Sequence, residues 1–436
     1  MKPLWRKLDD DLCYEAVYDF MRNGKFQRSD VLSDLEEWTG YSRFEVLHND
    51  LNNKRHAFRL RYEIMSERAL VLREMIDGIC HGVDPEFDPV LLKRRPDGNT
   101  GKVRDIAYLC VRMQLLGHVL RLGLDRLFMA RFLPFQNASI PGRGPANLAR
   151  QIRRKLNRKY GITVFTKTDC SSAYKSTMYA RILRIIIEEI PKAIWIIKGI
   201  QMMERYAPGG HLIIGGYLDA FLFNLVMSYA MRDILDAYVS RRGKDLKLIV
   251  AMYSYMDDCV MLGRNEKTLQ MAVRRCREWL YVHHGIRLKQ TTGIIRLYSV
   301  DEEKAHKHRP TSAGRGCPMI DIAGYRICHT HITLRRRNAR RCIRCLERSW
   351  RQFQKTGTIK RQQANSIISR NGLMSVANSH RMMEKYHHSV LMKIARKIKS
   401  YWAKHENKIR ERGMQHVLDR YRRYCKTGFG IDVCLA

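Results

Sequence analysis

The chain has 436 residues, 45% of them hydrophobic, which is enough to bury a large core in two or three domains. Its 80 Lys and Arg against 43 Asp and Glu give a net charge of +37, which points to a polyanionic partner and not to a surface made basic for solubility. Twelve cysteines without framework spacing exclude a disulfide-stapled secreted scaffold and suit a reducing cytoplasm.

No targeting signal is visible at the start: Met1-Lys2-Pro3-Leu4-Trp5-Arg6-Lys7 runs into Asp9-Asp10-Asp11, so a cytoplasmic protein is expected. Residues 1–95 read as a mostly helical extension. Within them, the stretch from Ser29 to Leu47 reads as helix, Gly-containing turn, helix, which suits a packed helical hairpin better than a nucleic-acid-reading pair. Lys93 to Gly101 is polar and turn-rich, and Asp97-Gly98 suits a hairpin turn with Lys102 and Arg104 on the return strand. The helix expected over Ala146–Tyr160 carries Arg150, Arg153, Arg154, Lys155, Arg158 and Lys159, either to track phosphates or as a solvated charged face. Ile162 to Asp169 alternates as a strand that ends on an acid. Ile182–Ile200 is the most apolar stretch, but Arg184, Glu188, Glu189, Pro191 and Lys192 interrupt it. It is expected to be a buried helix pair, and no membrane partner is expected.

Tyr255-Met256-Asp257-Asp258 lies between two short apolar runs, Leu248–Met252 and Cys259–Gly263, and reads as a β-hairpin lifting two carboxylates out of a sheet. A solvated turn is the competing reading, since Asp is a common turn former. Asp169, about 90 residues earlier at the end of another strand, changes the odds. Carboxylates from separate elements can bridge two divalent ions held roughly 3.5–4 Å apart, one activating a hydroxyl and the other stabilising a leaving pyrophosphate. Hard oxygen ligands and triphosphate chemistry point to two Mg²⁺ ions, with Mn²⁺ as the substitute.

Glu266–His283 has helical periodicity, Gly285–Lys289 should return as a strand, and Asp301–Pro318 reads as an inserted loop. From Arg335 to Tyr424 there are 25 Lys and Arg against five acids, with apolar residues at helical spacing, so the region is expected to fold. Cys342-Ile343-Arg344-Cys345, with Cys317, Cys328, His329 and His331 upstream, makes a structural zinc site conceivable. The preferred reading has Cys342 and Cys345 simply facing the core. Thr427-Gly428-Phe429-Gly430 reads as a loose end.

Taken together, these residues resemble a reverse transcriptase, with the likeness running over roughly residues 100–390. Asp169 to Tyr174 resembles the first palm motif, Tyr255-Met256-Asp257-Asp258 the palm hairpin, and Ala323-Gly324-Tyr325-Arg326-Ile327 the primer grip. Lys102-Val103-Arg104 and Pro141-Gly142-Arg143-Gly144 resemble fingers motifs. The closest likeness is to bacterial enzymes of the diversity-generating retroelement type, through Ala323–Leu334 and Gly372…Ala377-Asn378-Ser379-His380, with antiphage-defence and abortive-infection reverse transcriptases related. Three positions depart from the pattern. Ile214 stands where Gln is usual, Asp219-Ala220 replaces a Ser-led pair, and Ile140 stands where Arg often precedes the Pro.

The resemblance implies an α+β right-hand polymerase: a helical N-terminal extension over 1–95, fingers and palm over 96–334, and a basic helical thumb over 335–436. It implies Asp169, Asp257 and Asp258 as catalytic and metal-binding. It implies Lys102, Arg104, Arg143, Tyr174, Ile214 and Gly215 at the nucleotide, with Tyr174 as steric gate and Gly215 allowing close approach. Gly324 and Tyr325 would form the primer grip, and Lys289 is a candidate general acid. Ile214 would accompany error-prone copying. Asp219 would bring negative charge near template or nucleotide and put template dependence in question. The expected partners are a template or non-coding RNA, dNTPs, the DNA product, and an accessory protein or second copy of the chain. The expected role is cDNA synthesis for sequence diversification; the alternative is DNA synthesis in antiphage defence, from a non-coding RNA or without template. A non-catalytic RNA-binding scaffold or maturase, or an RNA-synthesising enzyme, ranks lower.

Overall fold

A computed structural model describes residues 3–21, 28–39, 56–96, 103–157, 160–307 and 317–401. Lys102, the Asp97-Gly98 turn, Arg158, Lys159, the second half of the 29–47 pair and the 427–430 segment lie outside the described residues.

In chain order, α1 (Asp10–Met21), α2 (Ser29–Thr39) and α3 (His56–Cys80) precede the strands β1 (Leu91–Pro96) and β2 (Val103–Tyr108). Next come α4 (Val111–Gly123), α5 (Asp125–Arg131), α6 (Pro145–Asn157), β3 (Val164–Cys170), the short α7 (Ala173–Ser176), α8 (Tyr179–Glu189), α9 (Ile194–Tyr206) and α10 (Asp219–Asp236). Strands β4 (Tyr238–Arg241), β5 (Lys244–Lys247), β6 (Ala251–Tyr255) and β7 (Asp258–Gly263) lead to α11 (Glu266–His284), β8 (Leu288–Gln290), β9 (Ile295–Arg296) and α12 (Val300–Lys307). The strands β10 (Ile320–Ile322), β11 (Tyr325–Ile327) and β12 (Ile332–Leu334) are followed by α13 (Arg336–Thr356), α14 (Arg361–Met374) and α15 (His380–Lys385).

The chain divides into two compact units. The first takes residues 1–22, 67–339 and 372–379. Its centre is a five-stranded antiparallel sheet in the order β6-β7-β3-β8, with β9 pairing the other end of β3. These strands are apolar on both faces: Phe165, Met252, Val260, Met261 and Leu262 are buried, each worth roughly 1.5–3 kcal/mol against exposure. Helix α11 covers the sheet through Leu269, Ala272, Val273, Cys276 and Leu280. Asn265 caps its start, accepting from Thr268 N at 2.9 Å, and Gly285 ends it with φ +69°. Helix α10 is buried along nearly its whole length and packs on α11 and β6. Helix α1 packs on α4, where Asp19 meets His118 at 3.3 Å.

The apolar stretch at 182–200 is the helix pair α8–α9, as expected, and among the described residues no helix is long and apolar enough to cross a membrane. The strand expected over 285–289 is only β8. The expected loop at 301–318 contains helix α12, because Ser299 and Glu302 form a reciprocal capping box: Ser299 N donates to Glu302 Oε2 at 2.7 Å, and Glu302 N to Ser299 Oγ at 3.2 Å.

The second unit takes residues 23–66, 340–371 and 380–436. Within it, Trp350 stacks on His387 with ring centroids 3.9 Å apart. Cys342 is buried, as the core-facing reading expected, whereas Cys345 is half-buried and lines a cleft. Arg341, Arg344, Arg348 and Arg370 line the same cleft, of about 550 Å³, between α13 and α14.

Candidate active site

The ladder between β3 and β7 sets Asp169 directly opposite Asp258, and β8 sets Lys289 beside Asp169 on the other edge. Met256 takes the left-handed conformation at φ +54°, which makes the β6–β7 connection tight. The Asp257 carbonyl therefore accepts from Cys170 N at 3.3 Å, one residue beyond Asp169. Burial raises the Asp257 pKa most, the Asp169 carboxylate adds to the rise, and Asp258 contributes less; Arg104 acts in the opposite sense. Asp258 is tied to Lys167 Nζ at 2.9 Å. The three expected acids thus meet at one sheet edge, with Asp169 and Asp257 crowding each other and Asp258 compensated. A hard divalent cation fits this donor set, since it relieves the like-charge crowding that raises Asp257.

Beside the acids, Ser172 in the left-handed region turns the chain from β3 into α7, presenting Tyr174. The Tyr174 ring stacks on Phe223 (5.7 Å, 17°), and burial raises its pKa, helped by the charges of Asp219 and Asp257. Asp219 is not at the surface, where a template or nucleotide could touch it. It is fully buried, and its Oδ1 accepts from Tyr179 OH at 2.9 Å and Ile213 N at 2.7 Å. The reason is local: the Ile213–Leu218 loop folds back over the first turn of α10, and a buried backbone N–H needs an acceptor. Ile214 is half-buried in that loop, its carbonyl accepting from Ala107 N of β2 at 2.7 Å. Gly215 has φ +118°, and a Cβ there would stand 2.6 Å from the Ala107 carbonyl oxygen. Its glycine is required by this loop-to-strand approach.

Arg104 lies on β2, in electrostatic reach of Asp257. The neighbouring Asp105 accepts from Lys175 Nζ at 2.7 Å, which ties β2 to α7. Arg143 is committed to main-chain carbonyls, donating from Nη1 to Leu133 at 2.5 Å and Gln136 at 3.2 Å, and burial lowers its pKa. Arg153 donates to the Thr330 carbonyl at 3.0 Å. The three-stranded sheet β10-β11-β12 turns at Ala323-Gly324. Gly324 is buried with φ +89°, and a Cβ there would meet Asn338 Nδ2 at 2.5 Å. Tyr325 is fully buried, its hydroxyl reaching the Leu373 carbonyl at 3.3 Å, while Arg326 is the exposed residue of β11. Asn378 clamps β12, its N donating to Ile332 O at 2.6 Å and its Oδ1 accepting from Ile332 N at 3.0 Å.

Lys167 is the site residue that sequence reasoning missed. It lies two residues before Asp169, on the same face of β3, and that spacing was the signal that could have found it. Residues 92–291 match the reverse transcriptase (RNA-dependent DNA polymerase) family. No curated protein matches the chain. The match makes the chain a nucleotidyltransferase, an RNA-directed DNA polymerase. It brings with it a right-hand polymerase fold, dependence on a divalent metal, an RNA template, dNTP substrates and a DNA product.

Proposed function

We propose that this RNA-directed DNA polymerase performs two-metal nucleotidyl transfer at Asp169, Asp257 and Asp258, copying a template RNA in the manner of diversity-generating retroelements. The observation that carries the site is the register that sets Asp169 opposite Asp258, with Asp257 on the adjoining turn and its carboxyl pKa raised by burial and then by the Asp169 charge. Asp169 and Asp257 would hold both Mg²⁺ ions, and Asp258, steadied by Lys167, would support them. When bound, the ions activate the primer 3′-hydroxyl and stabilise the pyrophosphate released as the new O–P bond replaces the α–β phosphoanhydride. Tyr174, braced on Phe223, lies under the incoming sugar and excludes a 2′-hydroxyl. Arg104 and Lys102 neutralise the triphosphate. Arg143 shapes the 133–143 loop through its Nη1. Gly324 and Tyr325 set the hairpin that holds the primer end, and Arg326 is the side chain exposed there. Asp219 is buried under the Ile213–Leu218 loop and is not presented at the surface of the site, which favours templated copying over untemplated defence synthesis. Ile214, apolar at a template-contacting position, favours misincorporation.

The test is primer extension by the purified chain with Mg²⁺, on an RNA template and without template, using dNTPs or rNTPs. Templated dNTP incorporation is expected, with Asp257→Ala slower by about 10³-fold or more, and Ile214→Gln is expected to lower the error rate. Incorporation without template would overturn the copying role in favour of defence synthesis. Full activity in Asp257→Ala would overturn the site.

A further inference from the structure

Away from the acidic hairpin, a second group of ligand-bearing side chains converges where α12 meets the turn joining β11 to β12. Glu303, Cys328 and His331 bring a carboxylate oxygen, a thiol and a ring nitrogen within 4.8 Å of one another. Glu303 and Cys328 are buried and His331 is half-buried. Cys317 Sγ meets the Pro318 carbonyl at 3.6 Å; burial raises its thiol pKa, and Glu303 and Cys328 lie near enough to add to the rise. We propose that Cys317, Cys328, His331 and Glu303 form a structural Zn²⁺ site, separate from the Mg²⁺-type aspartates.

The donor set decides the metal. Two sulfurs and an imidazole are poor ligands for Mg²⁺ and good ones for Zn²⁺, which takes S at about 2.3 Å and N at about 2.1 Å in a tetrahedron. Such ligands stand roughly 3.5–4 Å from one another. Cys328 Sγ lies 3.2 Å from His331 Nδ1 and 3.9 Å from Nε2, close to that requirement and on the Nδ1 side of the ring.

The surrounding hydrogen bonds orient the His331 ring. His331 Nδ1 and Thr330 Oγ1 are 2.7 Å apart, and Thr330 Oγ1 donates to Glu303 Oε2 at 2.8 Å. A hydroxyl that gives its proton to Glu303 must accept from Nδ1–H, so the ion takes Nδ1 in place of this hydrogen bond and the ring proton passes to Nε2. Glu303 also accepts from His329 N (2.9 Å), His329 Nδ1 (3.0 Å) and Thr330 N (2.9 Å), so the Cys328–His331 turn is already shaped. One carboxylate oxygen gives up one of these donors to take the ion. Binding releases the two thiol protons to solvent as Cys317 and Cys328 become thiolates. Cys342 and Cys345 take no part: Cys345 meets Arg370 Nη1 at 3.8 Å, within the second unit.

The test uses the full chain and requires no polymerase activity. After purification from zinc-supplemented cells and dialysis against a weak chelator, elemental analysis should find one zinc per chain, retained in Cys342→Ser and lost in Cys328→Ser and His331→Ala. Should those variants not fold, the wild-type chain is exchanged into Co²⁺, where a sulfur-to-cobalt charge-transfer band and tetrahedral d–d absorption are expected and Zn²⁺ should abolish them. Zinc should also protect Cys317 and Cys328, but not Cys345, from alkylation. A wild-type chain that holds no zinc and gives no thiolate–cobalt band overturns the site, as does zinc content unchanged in a folded Cys328→Ser.

Discussion

Asp219 carries a cost that is readable in pH. Its pKa is raised from 3.8 to about 6, chiefly by burial, and its Oδ2 has no hydrogen-bond partner among the described residues. A carboxyl whose folded pKa lies above its unfolded value binds its proton more tightly when native. Stability from this group is therefore full below about pH 4, falls as pH rises from 3.8 to about 6, and stays lower by ~3 kcal/mol above that. Asp219→Asn keeps an oxygen for Tyr179 and Ile213 and removes the ionisation. Denaturant titrations at pH 4.5 and 7.5 should show the variant gaining stability relative to wild type at the higher pH, by about 1–3 kcal/mol. An equal difference at both values would refute this assignment. That the acids 169, 257 and 258 come together was legible from their type, order and spacing. Asp219 was not, because a sequence shows that a charge exists and not which way it points. Lys167 needed the β3–β7 register before its reach to Asp258 could be seen.

At the scale of elements, the approach of the Ile213–Leu218 loop to β2 explains more than any single side chain. Gly215→Ala must relieve both a φ of +118° and a Cβ 2.6 Å from Ala107 O, so the loop should move off the strand. Gly142→Ala has a similar positive φ, +74°, but no atom within 4 Å. The first substitution should cost about 2–4 kcal/mol and raise the KM for dNTP, the second about 1 kcal/mol with KM unchanged. Unfolding midpoints and steady-state kinetics would check this, and equal effects of the two would count against the loop-to-strand approach. Elements with strong periodicity, such as α11 and the α8–α9 pair, could be read from the chain. Helix α12 is only eight residues long, and its apolar pattern is weak; the Ser299–Glu302 capping box was the signal that could have found it.

Across the whole molecule the governing quantity is charge. On α13, Arg337, Arg340, Arg344, Arg348, Arg351 and Lys355 are all exposed at spacings of three and four residues, a single stripe about 27 Å long. Arg344 and Arg348 also border the arginine-lined cleft, so the stripe and the cleft share one basic face. Affinity for a template–primer duplex should fall steeply with salt, by roughly 10³-fold or more between 50 and 200 mM. Replacing Arg337, Arg340 and Arg351 by Gln should lower the log–log slope by about one for each phosphate no longer neutralised, without regard to sequence. Binding isotherms over a salt series would show it, and parallel slopes for variant and wild type would exclude the stripe from the interface. The total charge was evident from composition, but the alignment of these side chains along one helix face depended on knowing where α13 begins.

The polypeptide leaves the first unit after Ala339 and re-enters it at Gly372, where Asn378 is fastened to Ile332 in both directions. That stretch is therefore a closed excursion with two rooted feet, unlike an arm hinged at one. A single backbone break between Thr356 and Lys360 would divide the chain covalently, yet each of the two pieces would keep segments that fold in the first unit.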